Sequence, residues 1–211
     1  MLRSRIAILL ATVAWVFLVG AAFASLIGDS LVPGRPGEAP LAWPAASTLV
    51  RDPRHATLVI AIHPRCPCSR ATLGELEQIM MRCQGRLSAR VLFVRPPELA
   101  LAWAMTDVYR SARSIPGVTA VIDSAGAECE RFGAFTSGQA ALYDASGRLA
   151  FSGGITGARG HAGANAGENA VVAAVSSDVP APATAPVYGC PLWKAPGRKK
   201  PTKERRACPA S

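Results

Sequence analysis

The feature that most limits what this chain can fold into is a change of period between Thr57 and Leu76. An apolar, largely β-branched run from Leu58 to Ile62 reads as a buried strand. It breaks at Pro64 and Pro67, and apolar residues then recur at helical spacing at Leu73, Leu76, Met80 and Cys83. Cys66 and Cys68, separated only by Pro67, occupy the handover, where the first turn of the helix begins. Unpaired N–H groups and the positive end of the helix dipole meet there, and both favour a thiolate. Arg65 and Arg70 add positive charge on either side. A thiol so placed ionises more readily than a free cysteine, and the thiolate is the reactive form.

The pattern around this stretch predicts an α/β domain over residues 54–178. Strand Thr57–Ile62 is followed by a helix over Arg70–Arg82, closed at Gln84-Gly85. Ala89–Val94 is a second strand whose continuous apolar run suits a parallel sheet covered on both faces. Joining it to the first strand through a helix calls for a right-handed crossover. Pro96-Pro97-Glu98 opens a helix through Leu99, Trp103 and Val108 to about Arg113, with Pro116-Gly117 as the stop. Val118–Ile122 is a third strand, and Asp123-Ser124 caps a short helix near Ala127–Phe132. Ala140–Tyr143 and Leu149–Ser152 form a hairpin about Asp144–Gly147. A glycine-rich loop from Gly153 to Gly167 leads into a last helix near Asn169–Ser176. The expected order is β-α-β-α-β-α-β-β-α.

Both ends lie outside this domain. Residues 1–28 carry Arg3 and Arg5 and then an uncharged apolar run from Ile6 to Ile27. One reading is a signal peptide with Ala22-Phe23-Ala24 as a cleavage-like site. The other is a transmembrane anchor, since about 20 apolar residues span a bilayer. The run continues past the cleavage-like site, which favours the anchor. Either way the basic residues stay inside and the domain is exported. Residues 29–53 read as a Pro/Gly-rich spacer, with Leu41–Trp43 and Leu49-Val50 as segments that dock on the domain. Residues 179–211 read as a Pro-rich linker and a disordered basic tail.

The net charge of +9 would suit a nucleic-acid partner, but its distribution does not. The tail holds Lys194, Arg198, Lys199, Lys200, Lys203, Arg205 and Arg206 against Glu204 alone. No nucleic-acid partner is therefore expected. A strand–GxGxxG–helix fingerprint and a Ser–His–Asp arrangement are both missing. Six cysteines in an exported chain are compatible with disulfide chemistry, which a reducing cytosol would discourage.

His63-Pro64-Arg65-Cys66-Pro67-Cys68-Ser69-Arg70-Ala71 and Glu75-Leu76 resemble the thioredoxin superfamily, in particular a bacterial branch of membrane-tethered, RedB-type proteins. Phe132-Gly133, Thr136-Ser137-Gly138, Gly153–Thr156 and Arg159-Gly160-His161 match as well, so that the resemblance runs from about Ala56 to Leu192. It implies a thioredoxin-like α/β fold, a central mixed sheet flanked by helices. It also implies a thiol–disulfide oxidoreductase on the outer face of the bacterial inner membrane, or a soluble periplasmic or secreted one if the leader is cleaved. Cys66 would attack and Cys68 resolve, although Cys68 lies nearer the helix and the reverse order stays open. Protein thiols or disulfides would be the clients and a partner dithiol the electron source, with no cofactor required.

The sequence departs from that family in two places. One residue, not two, separates the cysteines, and no tryptophan precedes them. The proline that usually faces the pair is missing, and Thr136-Ser137-Gly138 occupies its region, with Ser137 or Gly138 nearest that position. That proline discourages metal binding, so its loss admits an alternative. Cys66 and Cys68 are soft ligands, and with His161 they would suit copper, as in exported thioredoxin-fold copper chaperones. His161 or Arg159 would equally serve to lower a cysteine pKa. Pro67 removes a backbone donor and fixes the turn.

The outer cysteines have plainer readings. Cys83 falls on the apolar stripe of its helix and reads as a buried, unreactive thiol. Cys129 and Cys190 offer an exported structural disulfide; alternatively Tyr188-Gly189-Cys190-Pro191 brings a third redox cysteine to the site. Spacing leaves both open. Cys208 lies in the tail and reads as dispensable.

Overall fold

A computed structural model describes residues 2–176 and 183–193. Its elements are α1 (Leu2–Leu31), β1 (Ala56–Ile62), α2 (Ser69–Arg82), β2 (Leu87–Arg95), α3 (Asp107–Ser114), β3 (Val118–Ser124), α4 (Ala127–Arg131), β4 (Gln139–Tyr143), β5 (Leu149–Gly154), α5 (Ala166–Ser176) and β6 (Ala183–Ala185). They build one six-stranded sheet in the order β3-β2-β1-β4-β5-β6. Strand β1 pairs in parallel with β2, and β2 with β3; β4 runs antiparallel to both β1 and β5, and β6 returns parallel to β5.

Strand β1 is apolar throughout because it is covered on both faces. Leu58, Ile60 and Ile62 face the layer of α2, α3 and α5, where they meet Leu76, Ile79, Phe93 and Val171. Val59 and Ala61 alternate to the other face, with Leu92, Cys129, Phe132 and Tyr143. Among the described residues that second face carries only the short helix α4. Irregular chain from both ends completes the cover, and here the structure corrects the boundaries read from the sequence.

The 29–53 segment is docked chain. The Gln139 side chain accepts from the backbone N–H groups of Gly37 and Phe135, both at 3.2 Å, and donates to the carbonyls of Gly37 and Gly133, both at 3.1 Å. Thr136 Oγ1 donates to the Arg35 carbonyl at 2.7 Å, and the Tyr143 hydroxyl to that of Pro40 at 3.0 Å. Trp43 stacks edge-on against Phe132 and Tyr143 at 5.0 and 5.3 Å. The backbones cross so closely at Gly37 and Gly133 that a Cβ on Gly37 would lie 1.7 Å from the Gly133 carbonyl oxygen. Trp43 docks as expected, with Ala42 bridged to Arg148, and Leu49 packs beside it; the side chains of Leu41 and Val50 stay exposed.

Two further differences have local causes. The single helix expected from Pro96 to Arg113 is broken into a 3-10 turn at Leu101–Trp103 and helix α3. The Arg95 guanidinium gathers the carbonyls of Pro96, Pro97 and Leu99, withdrawing them as helix acceptors. Thr106 then starts a new helix by capping the Tyr109 N–H. Strand β6 lies in a stretch read as linker: Ala183–Ala185 pairs with Phe151–Gly153 and adds an edge to the sheet. The packed domain therefore begins before residue 54 and includes 183–193. The basic tail and Cys208 lie outside the described residues.

Helix α1 is apolar around its circumference and unburied, with Trp15, Phe17 and Leu18 all exposed. Residues Ser4–Leu31 are long and apolar enough to cross a membrane.

Candidate functional site

The site forms where β1 ends. The N–H of Cys66 donates to the His63 carbonyl at 3.0 Å and that of Ser69 to the Cys66 carbonyl at 3.1 Å, a pair of tight turns that leads into α2. Cys68 occupies the N-cap position of α2, and no acidic residue stands in the first turn to compete for the dipole. Cys66 is 3% exposed, whereas Cys68 is half-buried and Pro67 between them is exposed.

Ser137 sits directly beneath the turn. Its Oγ accepts from the His63 N–H at 3.0 Å and lies 3.3 Å from Ser69 Oγ, while the Gly138 N–H donates to the Ala61 carbonyl at 2.8 Å. The Thr136–Gly138 loop is thus the floor of the site.

A third cysteine completes it. Cys190 Sγ lies 3.1 Å from Cys66 Sγ, 124 positions away in the chain. The segment that carries it is pinned to the floor loop: the Ser137 N–H donates to the Cys190 carbonyl at 2.8 Å, and the Leu192 N–H to that of Phe135 at 3.0 Å. Val187 and Leu192 are buried on either side. Cys129 is free and fully buried elsewhere, so Cys129 and Cys190 are not bridged, and Cys190 lies beside Cys66 instead.

The three thiols do not share one acidity. Burial pushes the Cys66 thiol up, but hydrogen bonds from Cys190, and then from the Cys68 backbone and thiol, outweigh it and hold Cys66 below the usual thiol range. Burial raises Cys68, and the neighbouring Cys66 charge raises it further, against opposing contributions from Arg159 and the Gly160 backbone. Burial and the hydrogen bond to Cys66 push Cys190 up to about 12. Cys66 is the most acidic of the three thiols, and Cys190 is its hydrogen-bond partner.

The remaining residues singled out in the sequence fall in different places. Arg65 is exposed and lies over the Trp103 ring at 5.2 Å, and Arg70 pairs with Asp107 on the surface. Neighbouring thiol and backbone donors, rather than these guanidinium groups, hold Cys66 down. Arg159 does reach the site: its Nη1 donates to the Gly189 carbonyl, its Nε to that of Val32 at 3.1 Å, and its own N–H to that of Ser30 at 2.9 Å. His161 is exposed, with Nδ1 3.1 Å from the Arg159 carbonyl oxygen, and lines a groove beside Ile27 and Leu31. Among the described residues no three His, Cys, Asp or Glu side chains form a metal-holding group. Cys83 is fully buried and its thiol raised by burial, an unreactive core residue.

No family model matches the chain, and no curated protein matches it. Solved structures do. A hypothetical protein of Sinorhizobium meliloti aligns with 20% identity and a TM-score of 0.56, over 76% of this chain and 98% of its own. An uncharacterised conserved protein of Geobacillus kaustophilus aligns with 14% identity and a TM-score of 0.52, over 79% and 94%. A secreted Mycobacterium tuberculosis disulfide oxidoreductase homologous to E. coli DsbE aligns with 16% identity and a TM-score of 0.41, over 58% and 81%. In this chain, a cysteine pair opens the helix after the central strand of a sheet that is parallel on one side and antiparallel on the other. The fold is thioredoxin-like. Within this thioredoxin-like frame the β4 and β5 hairpin supplies the floor loop, and β6 with the segment after it is an addition that brings Cys190 over the helix start.

Proposed function

We propose that this chain is an exported thiol–disulfide oxidoreductase, tethered to the bacterial inner membrane by α1, that acts through Cys66 and Cys68. The observation that carries the reading is the setting of Cys66, a thiol almost wholly enclosed at a helix start, 3.1 Å from a second thiol, and with its pKa lowered despite its burial. Desolvation alone would keep such a group protonated, and a structural core cysteine such as Cys83 shows that outcome.

In the forward step the Cys66 thiolate attacks a client disulfide, forming a mixed disulfide and releasing one client sulfur as thiolate. The Cys68 thiol, freed of the adjacent negative charge, loses its proton and attacks Cys66 Sγ. The client leaves as a dithiol and Cys66–Cys68 remains as a disulfide. A partner dithiol returns the pair to the reduced state, so no cofactor is needed. Ser137 and the floor loop hold the turn. Arg159 supports ionisation of Cys68.

The test is a redox titration of Cys66 and Cys68 in glutathione buffers, read by mass after thiol trapping, with and without one equivalent of Cu(I). A reversible two-electron couple indifferent to copper is the expected result. Thiols that never pair but become protected by copper would overturn it in favour of a metal-binding module.

A further inference from the structure

We propose that Cys190 is the terminal resolving thiol of this site, drawing Cys66 out of its short disulfide with Cys68, or out of a mixed disulfide with a client, into a Cys66–Cys190 bridge. The proposal rests on the thiol–disulfide reading above.

The contact is built into the fold. Cys190 Sγ stands 3.1 Å from Cys66 Sγ, and its backbone is fixed from both sides by the Ser137 and Phe135 hydrogen bonds and by Arg159 on Gly189. Gly189 is needed for this approach, because a Cβ there would lie 1.9 Å from the Ser137 carbonyl oxygen. Of the two thiols beside Cys66, Cys190 is also the one free of ring strain. Cysteines separated by one residue fit disulfide geometry poorly, whereas two facing backbones set far apart in sequence carry no such constraint.

The exchange is balanced without an outside oxidant. The Cys190 thiolate attacks Cys66 Sγ, the Cys66–Cys68 bond breaks, the Cys66–Cys190 bond forms, and Cys68 leaves as a thiolate that takes up the proton Cys190 gave away. One disulfide is present before and after. The electrostatics time the step. While Cys66 is a thiolate its charge and hydrogen bond help keep Cys190 protonated. Once Cys66 is bonded to Cys68 those two contributions and that of the Cys68 charge vanish, leaving burial against the pull of Arg159.

The full chain in detergent, with Cys208→Ser to remove the tail thiol, decides the matter. A Cys68→Ser variant is oxidised with glutathione disulfide and mapped by non-reducing digestion. The expected product is a Cys66–Cys190 peptide pair with no lasting glutathione adduct. Glutathione retained on Cys66 with Cys190 still open to alkylation overturns the inference. A Cys190→Ser variant should keep a reversible Cys66–Cys68 couple whose equilibrium with glutathione is shifted about tenfold or more towards the dithiol; an unshifted equilibrium also overturns it. The thiol–disulfide reading survives both of those failures. It falls only if the chain with all three thiols forms no reversible bridge.

Discussion

At the scale of single residues the distinctive event is the division of labour among three thiols within one small volume. A hydrogen bond that favours the charged form of a thiol lowers its pKa. Cys190→Ala removes the hydrogen-bond partner that holds Cys66 down, so the Cys66 pKa should rise. The sign follows from the thiolate being the form stabilised. Alkylation of Cys66 followed by peptide mass against pH should show its midpoint moving upward in the variant. An unmoved midpoint would mean that Cys190 does not donate to Cys66. The sequence exposed half of this arrangement. Cys-Pro-Cys between a strand and a helix announces itself, because both periodicities are local. The contact with Cys190 stays one of two open readings, since nothing in the residues near either cysteine fixes a partner 124 positions away. Its trace is indirect: a glycine before Cys190, and Val187 and Leu192 as buried anchors in a stretch that otherwise reads as linker.

At the scale of elements, what the sequence leaves least legible is the cover of the second sheet face. Periodicity reveals helices and strands, and α2, β1, β2 and the hairpin were all readable within a few residues of where they lie. Extended chain held by one glutamine amide and two facing glycines has no period. Gln139 is 3% exposed and makes four hydrogen bonds, two of which clamp Gly37 of the 29–53 segment while the other two hold Gly133 and Phe135. Gln139→Ala should therefore destabilise the domain by about 2 kcal/mol, since buried backbone groups lose their partners. A denaturant midpoint unchanged from the parent would show that the segment is not part of the cooperative unit. The broken helix after β2 has the same origin as the misread spacer. Arg95, at a strand end, captures carbonyls that a local reading assigns to helix.

At the scale of the whole molecule, one residue ties three parts together. The Arg159 side chain holds the chain just after α1 through Val32 and the Cys190 segment through Gly189, while its backbone N–H holds Ser30 in the last turn of α1. Arg159→Ala should loosen both at once. Limited proteolysis within residues 31–45 and alkylation of Cys190 should then both accelerate severalfold while the sheet stays folded. Acceleration of one without the other would show that the two contacts are independent. The same ties leave almost no slack between the last turn of α1 and the three thiols, because the chain that follows lies against the domain. A helix of 28 residues rises about 42 Å, more than the roughly 30 Å of a bilayer core. With that helix in a membrane, the thiols would sweep a layer no thicker than the domain itself. Clients anchored in the same membrane would meet them by diffusion in two dimensions and at high effective concentration, whereas a freely diffusing client would have to find the layer first.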